Sequence, residues 1–85
     1  MTNMNWIPQK IAIRESLLNL LIEEKKDDIT VRCGLKALDQ IMQMPEFMKT
    51  WDEKSLHIAD CWIHVTKDFD LDPWEIWYND VIVFE

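Results

Sequence analysis

Eighty-five residues with 48% hydrophobic side chains have the composition of one folded domain and exclude a chain that is disordered throughout. A net charge of −7 has the wrong sign for direct binding to phosphate backbones or anionic membranes. The single glycine, Gly34, excludes Walker-type and Gly-x-Gly-x-x-Gly loops, and neither Ser16 nor Ser55 stands in a nucleophile-elbow context.

In chain order, residues 1–6 read as a short disordered start. Pro8 suits the first turn of a helix running to about Lys26. Ile11, Ile13, Leu17, Leu18, Leu20, Leu21 and Ile22 cover an arc of roughly 200° at helical spacing, the wide apolar face of a helix with more than one neighbour. Lys25 to Asp28 break the pattern, and Asp28 or Thr30 can cap a second helix. That helix is expected over Val31 to Met44, with Val31, Leu35, Ala37, Leu38, Ile41, Met42 and Met44 on one side. Gly34 and Ala37 would let another helix approach closely. Ile29 to Cys33 also alternates like a strand, which is the alternative reading. Pro45 ends or kinks the helix.

Thr50 and Glu53 have capping-box spacing and open an expected third helix to about Lys67, with Leu56, Ile58, Ala59, Trp62, Ile63 and Val65 as its apolar arc. Asp72-Pro73-Trp74-Glu75 is a second box, opening a last helix that carries Trp74, Trp77, Tyr78 and Val81 and can straighten over Val81 to Phe84. The expected fold is all-α: one domain over residues 1–85, a compact bundle of about four short helices, at least ~60% helical.

Two clusters invite a metal. On a helix, His57 would share a face with Cys61, and Asp60 with His64, giving two ligands to each pair. His57 and His64 would then stand about 10 Å apart along the axis, too far for one ion. Asp68, Asp70 and Asp72 alternate like the start of a calcium loop, but Pro73 and Asn79 occupy the positions that need Gly and Glu. No metal, cofactor or catalytic residue is expected from either. Cys33 and Cys61 are too few for a secreted disulfide scaffold. No basic, then apolar, leader opens the chain, and the longest apolar run, Val81 to Phe84, is far short of the ~20 residues of a membrane span. The expected location is cytoplasmic, or the host cytoplasm for a viral protein.

Charge is unevenly spread. Residues 1–45 hold six acids and six bases, while residues 46–85 hold ten acids against Lys49, Lys54 and Lys67 and so carry the whole −7. In the tail, acids alternate with large apolar side chains, and Trp and Tyr are the residues most enriched at binding hot spots. The expected partner-binding set is Asp68, Asp70, Trp74, Trp77, Tyr78 and Asp80. The chain therefore reads as a non-enzymatic protein that binds a basic protein partner, one that itself handles nucleic acid, and inhibits or redirects it. In size, charge and expected helicity it resembles small acidic antagonists: bacterial immunity proteins, toxin inhibitors, and the host-takeover and anti-defence proteins of phages. The alternative is a structural or adaptor subunit that self-associates as a homo-oligomer.

Overall fold

The computed structural model describes residues 9–85; the expected disordered start and Pro8 lie outside these residues. The chain runs α1 (Gln9–Glu24), β1 (Asp28–Cys33), α2 (Leu35–Met42), β2 (Phe47–Lys49), β3 (Lys54–Ile58), β4 (Cys61–Lys67), β5 (Ile76–Tyr78) and β6 (Val81–Phe84). The strands form one mixed sheet in the order β2-β3-β4-β1-β5-β6. β1 and β4 are parallel, and every other pair is antiparallel. This overturns the all-α expectation. The fold is α/β, with 36% strand against 31% helix among the described residues.

Helix α1 lies where its periodicity predicts. Ile13, Leu17, Leu20 and Leu21 are buried, a single stripe at helical spacing, each contributing roughly 1.5–3 kcal/mol. Leu18 is partly buried against the core, while the margins of the wide apolar arc, Ile11 and Ile22, are 51% and 70% exposed. Lys25, with φ at 54°, ends the helix, and its N–H donates to the Leu21 carbonyl at 3.0 Å.

The second expected helix splits in two. Ile29, Val31 and Cys33 are buried and alternate with Asp28, Thr30 and Arg32, so the strand alternative is the one realised. Three consecutive β-branched residues, Ile29 to Val31, suit an interior strand, and β1 is paired on both sides, with β4 and β5. The helix begins only after Gly34 and ends at Met42, ahead of Pro45. Its first N–H groups are satisfied from outside: Lys36 and Ala37 both donate to the Pro73 carbonyl at 2.9 Å, and Gly34 donates to the Glu75 carbonyl at 2.9 Å. A Cβ on Gly34 would overlap the Asp72 carbonyl oxygen and lie 2.7 Å from the Pro73 carbonyl carbon. Gly34 does permit a close approach, but by the backbone of the β4–β5 connector and not by another helix.

Both capping boxes close turns instead of opening helices. The Thr50 N–H donates to the Glu53 carbonyl at 2.9 Å and its hydroxyl to the Asp52 carboxylate at 2.8 Å, closing the β2–β3 turn. The expected helix beyond it is the β3–β4 hairpin. Leu56, Ile58, Ile63 and Val65 are buried on one side, with His57, Trp62, His64 and Thr66 on the other, so a period of two accounts for these positions. At Asp72 the box's own bond forms: the Asp72 N–H donates to Glu75 Oε1 at 3.2 Å. The turn does not propagate, because Ile76 and Trp77 satisfy the free edge of β1, whose unpaired backbone groups would otherwise be costly. No helix among the described residues is long and apolar enough to cross a membrane.

Candidate functional site

Strand alternation divides the sheet into two unlike faces. Helices α1 and α2 pack on the face that carries Ile29, Val31, Cys33, Leu56, Ile63, Val65 and Ile76, and together these form the core. Cys33 sits there with no access to solvent, and burial pushes its thiol up to about 12. The other face carries Asp28, Thr30, Arg32, Ser55, His57, Trp62, His64 and Trp77, and no described helix covers it.

His64 is the hub of its centre. The register sets Ser55 of β3 and Thr30 of β1 on either side of it. Its Nδ1 lies 3.0 Å from Ser55 Oγ and 3.4 Å from Glu53 Oε1, while its Nε2 lies 2.9 Å from Asp28 Oδ1. Serine, histidine and aspartate thus stand in one chain of contacts, but with the two ring nitrogens exchanged relative to serine hydrolases. Ser55 is only 3% exposed, so its oxygen cannot meet an external carbonyl unless β3 moves. As built, the cluster braces β1, β3 and β4 across the uncovered face. Beside it, Asp52, Glu53, Thr66 and Lys67 help to line an open depression of about 370 Å³.

Next to the brace the His57 and Trp62 rings stack, with centroids 4.3 Å apart and planes 18° from parallel, as expected for a directly opposed cross-strand pair. Cys61 registers with Ile58 and Trp62 with His57, so His57 and Cys61 lie on opposite faces of the hairpin. The helical pairing of His57 with Cys61 is therefore not formed, and Asp60 lies in the β3–β4 turn while His64 meets Asp28.

The sequence-predicted set divides. Asp68 is structural: its carboxylate accepts from Arg32 Nη1 at 3.0 Å and from the Asp70 N–H at 2.9 Å. Arg32 also donates to the Asn79 carbonyl at 3.0 Å, and its guanidinium lies 5.6 Å from the Trp77 ring. Trp77 is half-buried on the uncovered face, with its Nε1 donating to Glu75 at 3.1 Å. Trp74 and Tyr78 pack against the core, and Trp74 is also met by Lys36 Nζ at 5.9 Å. A helix would have put Trp74, Trp77, Tyr78 and Val81 on one stripe; the strand turns Ile76 to the core and Trp77 away from it. Asp70 and Asp80 are exposed, Asp80 in the β5–β6 turn. Of the six residues, then, Trp77, Asp70 and Asp80 remain available to a partner.

Sequence reasoning missed two aromatics. Trp51, assigned to a helix start, is 94% exposed at the tip of the β2–β3 turn. Trp62, assigned to a buried helical arc, lies half-buried on the uncovered face. The alternation of Cys61, Ile63 and Val65 with Trp62, His64 and Thr66 is the signal in the sequence for Trp62, because it places that residue on the face opposite Ile63. Comparison with protein-family models, curated proteins and solved structures finds no match for this chain.

Proposed function

We propose that the protein is a non-enzymatic binding protein whose ligand is a basic protein, and that it acts by inhibiting or redirecting that partner. The observation that carries this reading is the imbalance around the uncovered face. Half-buried Trp62 and Trp77 lie on the face that carries Asp28, with Glu53, Asp68 and Glu75 in contact with its side chains and exposed Asp70 and Asp80 in the turns beside it, while its one arginine is already engaged. Arg32 is held by Asp68 and Trp77, and Lys67 lies 5.2 Å from the Phe69 ring. A partner with surplus Lys and Arg complements such a surface, and one that handles nucleic acid has that surplus for its own reasons.

The test is affinity capture from the native cell, followed by kinetics with the captured protein. Asp70→Lys with Asp80→Lys is expected to slow association, and added salt to do the same, since exposed charges are screened over ~8 Å at physiological ionic strength. Trp77→Ala is expected to speed dissociation, at a cost of ~2 kcal/mol if the indole anchors the complex. Binding without salt dependence, or contacts confined to Lys10, Arg14 and the rest of α1, would sink the proposal. A second reading, self-association, is favoured by the exposure of Met48 and Trp51. A sizing measurement separates the two.

A further inference from the structure

The two edges of the sheet are guarded very differently. β2 is three residues long, follows Pro45 closely and carries Lys49. Shortness, proline and lysine are the usual means by which an edge strand discourages pairing. At the other edge, β6 consists of Val81, Ile82, Val83 and Phe84, without charge or proline; its register with β5 shifts between Ile76 and Trp77, and among the described residues no strand lies beyond it. Val81 is 61% exposed and Ile82 37%. Ile82 registers with Trp77, so the two share the uncovered face and carry it out to the edge. Charge appears only at the strand's ends, with Asp80 in the turn before it and Glu85 after it.

We infer that β6 is a docking edge, onto which an extended segment of a basic protein adds as a seventh strand. Main-chain hydrogen bonds to the open side of β6 supply the attachment. Selectivity comes from the flanks: the incoming segment is apolar where it crosses Ile82 and Val83, and carries Lys or Arg at both ends, opposite Asp80 and Glu85. A second copy of this chain is a poorer occupant. Antiparallel pairing of two β6 strands would set Asp80 of one against Glu85 of the other, in chains that each carry −7. This inference rests on the basic-partner reading and names its mode of contact.

The test is hydrogen exchange, read residue by residue on the full chain, with and without a synthetic peptide of alternating valine and threonine flanked by lysine pairs. Exchange of the β6 amides that point to its open side is expected to slow by ~10-fold or more with β2 unaffected, and the same peptide with glutamate flanks to bind at least ~10-fold more weakly. Asp80→Lys with Glu85→Lys, which leaves the β6 residues intact, is expected to reverse that preference. Ile82→Pro should abolish protection; because it can also loosen the hairpin, the charge swap is the deciding variant. Protection at β2, no protection anywhere, an unchanged flank preference, or the same protection arising from a peptide-free dimer would each overturn the docking edge. If the edge fails while a captured partner still binds in a salt-dependent manner, the basic-partner reading stands without it. A captured partner indifferent to salt overturns that reading instead.

Discussion

Glu75 Oε1 accepts two hydrogen bonds at once, from the Asp72 backbone N–H at 3.2 Å and from Trp77 Nε1 at 3.1 Å. One carboxylate oxygen therefore ties the turn of the β4–β5 connector to the indole on the uncovered face. Glu75→Ala is expected to destabilise the protein by about 1–2 kcal/mol, from two bonds each contributing roughly 0.5–1.5 kcal/mol, and to shift Trp fluorescence. Asp72→Ala, which would cost about 0.5–2 kcal/mol if Asp72 capped a helix, is expected to change the denaturation midpoint by less than ~0.5 kcal/mol, because the contacts made by Asp72 use its backbone.

Gly34→Ala is expected to be among the most damaging single-methyl additions in the chain. The new carbon would press on the Asp72 and Pro73 backbone, and neither can yield without releasing the Pro73 carbonyl from Lys36 and Ala37. A loss of ~2–3 kcal/mol or more in chemical denaturation is expected. An unchanged midpoint would show that the connector does not lie against the start of α2.

The β3–β4 turn offers the opposite case. Ala59 and Asp60 both hold left-handed backbone, with φ at 53° and 60°. A Cβ resists that conformation, and Asn-Gly is the pair best suited to a two-residue hairpin turn. Ala59→Asn with Asp60→Gly is expected to raise stability by about 1 kcal/mol in thermal or chemical unfolding. Destabilisation would mean that the hairpin turn is of another type.

Cys33 makes stability depend on alkaline pH. Burial raises its thiol from 9.0 to about 12, so the native state keeps a proton that the unfolded chain gives up first. Its contribution is fully present below pH 9 and is lost as pH rises toward 12. Unfolding free energy is expected to fall over that window, and to fall less in Cys33→Ala measured against its own value at neutral pH. In the native protein a thiol reagent is expected to modify Cys61 and to reach Cys33 only on unfolding.

What could be read from the residues depended on whether local preference and long-range pairing agreed. In α1 they agree, since Ile13, Leu17 and Leu20 recur at a spacing only a helix can bury on one side. From Leu56 to Val65 apolar residues are dense enough to fit either period, and only partner strands on both sides of β4 decide between them. Asp72 and Glu75 show the limit most plainly. Their bond is the one a helix start would make, yet a turn followed by a strand satisfies it equally well. The acidity of the C-terminal half was legible, but the roles of its acids were not. Asp68 looks as free as Asp70 in the sequence, and only Arg32, 36 residues away, makes it structural.

Strand β1 comes from the charge-neutral half of the chain, yet it lies between β4 and β5 of the acidic half. A nick near Pro45 would leave the acidic fragment with two separate ribbons, β2-β3-β4 and β5-β6, and an empty slot between them. Only the other fragment carries the strand that fills it. The cleaved protein would then persist as a non-covalent pair whose integrity depends on concentration, each fragment serving as the other's template.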